Sequence, residues 1–341
     1  MSQPFSGMVL CAGLGNRLRP LTDAYPKPLI PLLDVPLAEH AFAALAAAGA
    51  NAIAVNTHHL PDQMAAAAHT WAARYGGLSL SLSHEPTLLG TGAGAKRLFD
   101  ALGRPDHPIL LHNGDVVLHA PVAALLQRHR ETGAAATLLT VPAIPGEGEV
   151  WADASGARIT TLPGRNGAVA APGLESHERV SYAGVCVLDP WVIALLPDDP
   201  SCLIREGIAI ALGQGATVSA LRHEGFWADV GTPLRFLQAT WQLVKAGAER
   251  WPLPVAPPAG TFIAADTTER CAGVAVTGPA FVSNSATIAP NASVGPYAVI
   301  GAGCTVPAGA HVAESVLAYG AVAEQEQTRR ILVGTTLVRT G

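Results

Sequence analysis

Residues suited to binding phosphate are concentrated in the first 31 positions of the chain. The segment Ala12–Asn16 follows a short apolar run, and its two glycines let backbone N–H groups approach a phosphate chain closely. Arg17 and Arg19 follow directly, and Lys27 stands between two prolines that fix the backbone around it. The segment lacks the third glycine of the dinucleotide fingerprint and the Gly-Lys pair of a P-loop, so it predicts a phosphate site that neither motif describes.

Two aspartates are candidates for a cation site. Asp115 follows a short apolar run, and Asp229 follows an aromatic residue much later in the chain. Carboxylate oxygens at the ends of two strands suit Mg²⁺, which keeps several waters and takes one or two carboxylates together with phosphate oxygens. A turn or helix cap at Asp115, and a cap on the following helix at Asp229, are the alternatives.

The first half of the chain alternates short apolar runs with alanine-rich helical stretches. The predicted strands are 8–12, 52–55, 78–82 and 108–111, and the predicted helices are 37–48 and 62–74. This alternation predicts βαβ units on a mostly parallel, Rossmann-like α/β sheet. Ligands of such sheets bind at the carboxyl ends of the strands. The segments that follow these strands are therefore the candidate ligand-binding segments: 13–20, 85–91 and 113–115.

A second set of elements follows the first. Apolar runs predict strands at 135–141, 180–188 and 216–221, and a periodic stretch predicts a helix at 232–244. The segment 146–178 is rich in glycine, proline and charge, and is interpreted as an excursion from the sheet without an assigned structure.

The amino-acid composition changes at Trp251. Four prolines occur within the eight residues that begin there, which predicts a linker over 251–260. Beyond it a β-branched residue recurs at every sixth position, with small residues between. The recurring residues are Val276, Val282, Ile288, Val294, Ile300, Val306 and Val312. A hexapeptide period predicts a short left-handed parallel β-helix in which three hexads form one coil and the β-branched residues point inward. We expect this tail, residues 261–341, to mediate homo-oligomerisation.

Composition excludes several function classes. The net charge is −5 and basic residues are sparse, so nucleic acid is not an expected partner. The longest uncharged stretch, 40–61, is broken by glycine, asparagine and histidine, and predicts a core helix and a strand and no membrane span. The five cysteines are widely spaced and form no Cys-x-x-Cys pair, which favours a reducing cytoplasm over a disulfide framework or zinc site.

These motifs together resemble the signature of the sugar-1-phosphate nucleotidyltransferases. The family pattern G-x-G-x-R-L-x-P-L-T followed by P-K-P is matched between Val9 and Pro31. Four more matches follow in the family's order: Glu85-x4-Gly90-Thr-Gly-Ala, Asn113-Gly-Asp115, Tyr182-Ala-Gly184 leading to Leu188-Asp-Pro190, and Trp227-Ala-Asp-Val-Gly-Thr-Pro233. With the hexapeptide tail, the resemblance extends over nearly the whole chain.

The resemblance implies a reaction and a set of roles. In this family the phosphate oxygen of a sugar 1-phosphate attacks the α-phosphate of a nucleoside triphosphate and pyrophosphate leaves, so charge neutralisation and alignment dominate the barrier. The implied nucleotide-binding residues are Ala12, Gly13, Leu14, Gly15, Asn16, Glu85, Gly90 and Thr91. Arg17 would hold the β- and γ-phosphates, Lys27 would act at the α-phosphate, and Asp115 and Asp229 would bind Mg²⁺.

Ser83-His-Glu85 followed by Leu89-Gly-Thr91 is similar to the base-reading loop of mannose-1-phosphate guanylyltransferases, which also carry Ser-His-Glu and Leu-Gly-Thr at this spacing, so this segment is expected to read the base. A carboxylate at Glu85 accepts hydrogen bonds from guanine N1–H and N2–H₂, which favours GTP and, by resemblance, mannose 1-phosphate. Some uridylyltransferases of the family, including those acting on N-acetylmuramate 1-phosphate, carry a glutamate here as well. Uridylyl or thymidylyl transfer to glucose, N-acetylglucosamine or N-acetylmuramate 1-phosphate is therefore the alternative.

The sugar side departs from the family pattern. Relatives often carry Glu-Lys-Pro before the strand that leads to Asn-Ala-Gly, whereas this chain has Thr161-Leu-Pro163, and Tyr182 stands where asparagine is usual. Gly148 and Gly184 remain candidates for close approach of the sugar, and Arg165 is a candidate replacement for the missing lysine.

The sequence thus predicts a catalytic α/β domain over 1–250, a linker over 251–260 and a β-helix over 261–341. The expected activity is Mg²⁺-dependent formation of a nucleoside diphosphate sugar in the cytoplasm. A catalytically silent homologue that binds a nucleotide sugar and regulates a partner is the rival hypothesis. The missing Glu-Lys-Pro favours it, whereas retention of Arg17, Lys27, Asp115 and Asp229 argues against it.

Overall fold

The computed structural model describes residues 4–146, 150–258, 260–263, 268–271 and 274–340. Its α-helices are α1 (Leu21–Ala24), α2 (Leu37–Ala47), α3 (Pro61–Arg74), α4 (Gly90–Ala101), α5 (Val122–Thr132), α6 (Pro190–Ala194), α7 (Ala209–Gly213) and α8 (Pro233–Ala246). None of the described helices combines the length and the apolar character that a membrane span requires.

The strands of the first two thirds of the chain are β1 (Ser6–Leu10), β2 (Pro31–Leu32), β3 (Val35–Pro36), β4 (Ala52–Thr57), β5 (Ser79–His84), β6 (Ile109–Asn113), β7 (Val116–Leu118), β8 (Ala136–Pro142), β9 (Val150–Ala152), β10 (Ile159–Gly164), β11 (Gly167–Ala170), β12 (Glu178–Leu188), β13 (Val218–Arg222) and β14 (Trp227–Asp229). The later strands are β15 (Gly260–Ile263), β16 (Thr268–Cys271), β17 (Val274–Thr277), β18 (Ala280–Ser283), β19 (Thr287–Ile288), β20 (Ser293–Val294), β21 (Ala298–Ile300), β22 (Thr305–Val306), β23 (His311–Ala313), β24 (Val316–Ala318), β25 (Glu326–Thr328), β26 (Arg330–Val333) and β27 (Thr336–Arg339).

The chain divides into two compact units. The first unit consists of Met1–Gly13 and Ala41–Trp227, and the second of Leu14–His40 and Ala228–Gly341.

The first unit is built on a ten-stranded sheet. Its order is β11-β10-β9-β12-β6-β1-β4-β5, with β8 paired to β12 and β13 paired to β8. Strands β5, β4, β1 and β6 are parallel, as their apolar runs predict, and Met8 at the centre pairs with Ala54 and Leu111. Strand β12 runs antiparallel to β6, so the sheet is mixed with a parallel centre.

The predicted elements of this unit are confirmed with small shifts at their ends. The largest shift is at the first strand, which spans Ser6–Leu10 and not 8–12. Cys11 leaves the strand ladder because its backbone N–H is held by the side chain of Asn56. The unassigned excursion forms β9, β10 and β11, which extend the sheet in antiparallel pairing and pack Ile159 and Leu162 into the main core.

The second unit combines short N-terminal elements, α8 and the later strands. Its segment before α2 holds two 3₁₀ turns, Asn16–Leu18 and Lys27–Leu29, α1 and a β2–β3 hairpin. Helix α8 begins after Thr232, whose hydroxyl accepts a hydrogen bond from the Arg235 N–H at 3.3 Å, an N-cap that the Thr-Pro start favours.

The earlier parallel strand pairs of the second unit are offset by 18 residues, and the later ones by 17 or 15. Ala275 pairs with Ser293, Ala280 with Ala298, and Thr287 with Thr305, each pair lying in a different sheet. Four of the hexad residues, Val294, Ile300, Val306 and Val312, are buried in one apolar cluster, and the three earlier ones pack against it. An offset of three hexads on three sheets is compatible with the predicted β-helix.

Candidate active site

The parallel centre of the first unit brings the ends of β1, β4 and β6 to one edge of the sheet. The Gly114 N–H donates to the Leu10 carbonyl at 2.9 Å, and the Cys11 N–H donates to Asn56 Oδ1 at 2.6 Å. Ala12 is buried, whereas Gly13 is exposed with open space where a Cβ would stand. Hydrogen bonds therefore hold the residues just before the glycine segment, and the backbone at Gly13 is accessible to a ligand.

Glu85 is fully buried at the end of the neighbouring strand β5. Its Oε1 accepts from Asn56 Nδ2 at 2.7 Å, and its Oε2 accepts from the Leu89 N–H at 3.0 Å, at the start of α4. A carboxylate at a helix N-terminus is electrostatically favourable, and the two hydrogen bonds offset its desolvation. Glu85 thus ties β4, whose Asn56 also accepts from the Cys11 N–H, to the helix that carries Gly90 and Thr91.

The segment after Glu85 is shaped by Ser201. Gly90 has a φ of +71°, and a Cβ there would lie 2.5 Å from the Ser201 carbonyl oxygen. The Gly92 N–H donates to that oxygen at 2.8 Å, and Thr91 Oγ1 accepts from the Leu203 N–H at 3.0 Å. Glycine at position 90 is thus required by both the backbone conformation and the close approach.

Asp115 is half-buried just beyond β6. Burial raises the pKa of the Cys11 thiol well above its usual range, and the charge of Asp115 adds to that shift. Burial also lowers the pKa of His112 to about 4, against the opposing effects of the Asn113 carbonyl and Asp115. His112 is therefore neutral near pH 7 with Nδ1 donating to the Asn113 carbonyl at 2.8 Å, and Cys11 is an un-ionised thiol.

Gly184 interrupts β12 next to β6. Its φ is +83°, and a Cβ there would lie 3.0 Å from Val116 Cγ2 and 3.2 Å from Asn113 Nδ2. The register of β12 against β8 shifts at this point, between Tyr182 and Cys186. Gly184 therefore allows the irregular backbone to lie against Asn113, in the Asn-Gly-Asp segment.

Three described residues at the sugar-side positions that depart from the family pattern carry no charge: Thr161, Leu162 and Tyr182. The Tyr182 hydroxyl donates to Cys186 Sγ at 3.3 Å, and burial, followed by Cys186, raises its pKa. Leu162 is fully buried, and the Thr161 hydroxyl lies 3.0 Å from Ser176 Oγ. Gly148, the other predicted sugar residue, lies outside the described residues.

In the second unit, the remainder of the glycine segment packs on Lys27. Gly15 has a φ of +63°, and a Cβ there would lie 2.7 Å from Thr22 Cγ2 and 3.0 Å from Lys27 Cβ. The Gly15 carbonyl accepts from Thr22 Oγ1 at 3.1 Å and from the Leu18 N–H at 2.8 Å. The turn that presents Leu14, Asn16 and Arg17 is thus locked against the Pro-Lys-Pro segment.

Three cationic side chains gather around Asp229. Lys27 is 6% exposed, and its Nζ lies 3.9 Å from Asp229 Oδ1, while Arg235 Nη1 donates to Asp229 Oδ2 at 2.8 Å. A Cβ on Gly231 would lie 2.8 Å from Arg17 Nη2 and 3.2 Å from Asp229 Oδ1, so glycine makes room for the Arg17 guanidinium beside the carboxylate. The four side chains carry net positive charge and suit a polyanion. Arg19 is not among them, since it pairs with Asp23 at 3.2 Å on the exposed surface.

The chemistry of the two predicted metal ligands fits a hard cation. Both Asp115 and Asp229 are half-buried carboxylates, and Mg²⁺ takes few protein ligands when phosphate oxygens and waters complete its shell. Among the described residues no group of three or more His, Cys, Asp or Glu side chains is arranged to hold a metal. Transition metals require such a group of three or more protein ligands. Mg²⁺ bound together with phosphate does not require one.

Two residues of these clusters, Asn56 and Arg235, are not predicted from the sequence as site residues. Asn56 is a buried polar residue inside an apolar strand, a signal that marks it as hydrogen-bonded. Arg235 lies just after the Gly-Thr-Pro motif. Its guanidinium reaches Asp229 because α8 begins at Pro233, and the sequence motif does not indicate this contact.

A mixed α/β sheet with a parallel centre, a glycine segment at its edge and a cationic cluster in the second unit define the class: a protein that binds phosphorylated ligands. Residues 6–162 match the family model described as nucleotidyl transferase. The chain is 31% identical to the mannose-1-phosphate guanyltransferase of Candida albicans over 248 residues, 72% of this chain and 66% of that protein. It is 31% identical to that of Saccharomyces cerevisiae (73% and 68% covered) and 29% identical to that of Yarrowia lipolytica (75% and 69%). The chain therefore belongs to the sugar-1-phosphate nucleotidyltransferase family.

Proposed function

We propose that this protein transfers a nucleotidyl group from a nucleoside triphosphate to a sugar 1-phosphate, releasing pyrophosphate. The observation that carries the proposal is the cluster of Arg17, Lys27 and Arg235 around Asp229. The reaction brings two polyanions together, so fixed positive charge in a partly desolvated site lowers the barrier directly. The names of the related proteins, mannose-1-phosphate guanyltransferases, support the same reaction.

The proposed step needs no covalent enzyme intermediate. An oxygen of the sugar 1-phosphate forms a bond to the α-phosphorus, the bond from that phosphorus to the bridging oxygen of the β-phosphate breaks, and the electron pair leaves with pyrophosphate. The backbone of Ala12–Asn16 and the side chain of Arg17 hold the triphosphate. Lys27 stabilises the charge that develops at the α-phosphate, and its near-complete burial strengthens that interaction.

Asp115 and Asp229 are the residues that would hold Mg²⁺. When bound, the cation supplies charge neutralisation to the phosphate oxygens of the nucleotide. Lys27 and Arg235 both pair with Asp229, and the hydrogen bond from Arg235 keeps its carboxylate oriented.

The proposed substrates are GTP and mannose 1-phosphate. The related proteins and the Ser83-His-Glu85 segment support the base, and the names of the related proteins support mannose 1-phosphate as the sugar. Uridylyl or thymidylyl transfer to glucose, N-acetylglucosamine or N-acetylmuramate 1-phosphate is the alternative within the same reaction class.

The test is pyrophosphate release by the purified protein with Mg²⁺. GTP, UTP, dTTP, CTP and ATP are each combined with mannose, glucose, N-acetylglucosamine and N-acetylmuramate 1-phosphates. GTP with mannose 1-phosphate is expected to give the highest kcat/KM. Turnover of a different pair would contradict the substrate proposal while retaining the reaction.

Variants test the cluster itself. Lys27→Ala, Asp115→Asn and Asp229→Asn are each expected to lower kcat/KM by at least 100-fold, about 2.7 kcal/mol of transition-state stabilisation. Lys245→Ala removes an exposed lysine from α8 and serves as the matched control. Equal activity of Lys27→Ala and Lys245→Ala would refute the proposed role of the cluster.

A second candidate function is catalytically silent binding of a nucleotide sugar that regulates a partner. The buried Leu162 and the Thr161–Ser176 contact favour it, because no charged side chain replaces the family's Glu-Lys at these positions. Asp115→Asn separates the two functions, since it removes turnover from an enzyme and leaves metal-independent binding intact.

The repeating strands are proposed to form a left-handed β-helix that mediates self-association. The 18-residue offsets between paired strands and the buried hexad residues support this arrangement.

A further inference from the structure

A groove with a volume of 540 Å³ lies in the first unit between the tip of the β10–β11 hairpin and the segment 195–210. This volume is within the range of small-molecule sites. None of the residues proposed above for catalysis, nucleotide or metal lines it. Arg165, the candidate replacement for the family's lysine, is the one lining residue already considered for any substrate.

The groove carries net positive charge. Arg165 and Arg205 line it from opposite walls, and neither guanidinium has a hydrogen bond or ion pair with any residue that the structure describes. Glu206 is the acidic residue of the lining, and its Oε2 accepts the Cys202 N–H at 2.7 Å. Two guanidiniums therefore face a groove whose carboxylate is engaged with the backbone, a setting that favours an anion.

The rest of the lining is apolar. Val169 extends from the hairpin, and Leu195, Pro197 and Ile210 come from the facing segment. Ile210 is 41% exposed and adds apolar surface beside the two arginines. The groove thus offers a cationic part and an apolar part to the same ligand.

We propose that this groove binds an organic phosphate whose remaining part is flat or apolar, such as a nucleoside monophosphate. The phosphate is held by Arg165 and Arg205 through charge-assisted hydrogen bonds, and the flat part lies against Leu195 and Ile210. An unsubstituted sugar phosphate lacks the apolar part and binds more weakly.

The wall of the groove also carries contacts to the nucleotide segment. Between Leu195 and Ile210, the Ser201 N–H donates to the Leu89 carbonyl at 2.9 Å, and the Ser201 carbonyl and the Leu203 N–H hold Gly92 and Thr91. A ligand that moves this segment changes the position of residues 89–92 and so the KM for the triphosphate. This second part of the proposal rests on the proposed function, and the occupancy of the groove does not.

The test uses guanosine 5′-monophosphate as the probe, with guanosine and inorganic phosphate as its two halves. Binding is measured by calorimetry on the full-length protein, on the double variant Arg165→Ala/Arg205→Ala and on Lys27→Ala. Arg130→Ala, an exposed arginine of α5 outside the groove, is the matched control. The affinity for the probe is expected to fall at least tenfold in the double variant and to stay within twofold in Arg130→Ala. Lys27→Ala removes the contact proposed for the α-phosphate, and so reports any binding of the probe at the triphosphate site. Each half is expected to bind more weakly than the whole.

Three results would overturn the proposal. They are an unchanged affinity in the double variant, a loss confined to Lys27→Ala, which would locate the probe at the triphosphate site, and displacement of the probe by sugar 1-phosphates, which would assign the groove to the substrate. Because calorimetry needs no turnover, binding without activity would refute only the proposed function. Activity without binding would refute only the groove.

Discussion

At the scale of single residues, Glu85 shows how a family role and a local structure can coincide on one side chain. The sequence marks it as a reader of the base, while the structure buries it and engages both carboxylate oxygens with Asn56 and Leu89. Each oxygen retains a second lone pair, so any hydrogen bond to a base adds to this network. The role of Glu85 in base reading stays a prediction, and its role in holding the segment is visible in the contacts.

Exchanging the chemical types of the two side chains tests that network. Glu85→Gln places an amide donor where either Asn56 Nδ2 or the Leu89 N–H already donates, so we expect a loss of about 1–3 kcal/mol in unfolding free energy. The double variant Glu85→Gln/Asn56→Asp restores a consistent pattern, because the carboxylate introduced on β4 can accept from both the introduced amide and the Cys11 N–H. We expect this double variant to recover much of the loss. Urea unfolding measures both effects.

The control for this pair is Glu131→Gln, which alters an exposed glutamate that accepts from Gln127 on α5. Its unfolding free energy is expected to stay within about 0.5 kcal/mol of the parent. A double variant no more stable than Glu85→Gln alone would show that the hydrogen-bond pattern is not what Glu85 contributes.

At the scale of elements, positions 13 and 15 of the phosphate segment are glycines for different physical reasons. Gly13 has open space around its Cα and an ordinary φ, so nothing in the protein requires the absence of a side chain. Gly15 adopts a left-handed backbone and lies against Thr22 and Lys27, so the fold itself requires glycine. The second glycine therefore serves the turn, whereas the first is predicted to serve a ligand.

This distinction predicts opposite phenotypes for two identical substitutions. Gly13→Ala is expected to leave the unfolding free energy within about 0.5 kcal/mol and to raise the KM for the triphosphate. Gly15→Ala is expected to cost about 1–2 kcal/mol for the left-handed backbone alone, with the clash at Thr22 adding to it. Thermal unfolding and initial rates on both variants check the prediction, and a Gly13→Ala variant with unchanged KM would argue against backbone contact with phosphate.

The sheet shows where the prediction of elements succeeds and where it stops. Strands β1, β4 and β6 each contain a continuous apolar run of three or four residues, a pattern typical of strands buried on both faces, and their parallel pairing follows from the helices between them. Strand β12 has the same apolar character and runs antiparallel. The direction of β12 depends on the path of the preceding excursion. That excursion contains β9–β11, which no periodicity in the sequence predicts.

At the scale of the whole molecule, the later strands are the proposed oligomerisation surface. Val322 is 58% exposed, the highest value among the exposed large apolar side chains of the described residues. It lies beside β22 through a parallel bridge to Thr305. An exposed apolar side chain beside a strand favours association between copies.

Introducing charge at this position tests self-association. Sedimentation velocity is expected to give an oligomer for the parent chain at micromolar concentration and a shift toward smaller species for Val322→Glu, because association would then bury an unpaired carboxylate. Gln325→Glu adds the same charge at an exposed neighbouring position and is expected to leave the distribution unchanged. A monomeric parent chain would contradict the oligomer proposal outright.

The sequence by itself determined the alternation of strands and helices in the first half of the chain and the hexapeptide period, and it predicted the chemical groups of the phosphate site, because apolar periodicity and glycine positions are local properties of the chain. Only the tertiary structure decided that Glu85 is engaged by Asn56, that Arg235 returns to Asp229, and that Arg165 and Arg205 share a groove. These contacts join residues whose proximity depends on strand direction and on the start of a helix. The physical reason is that hydrogen bonds and ion pairs act over a few ångströms, and the distance between distant parts of a chain is set by packing alone.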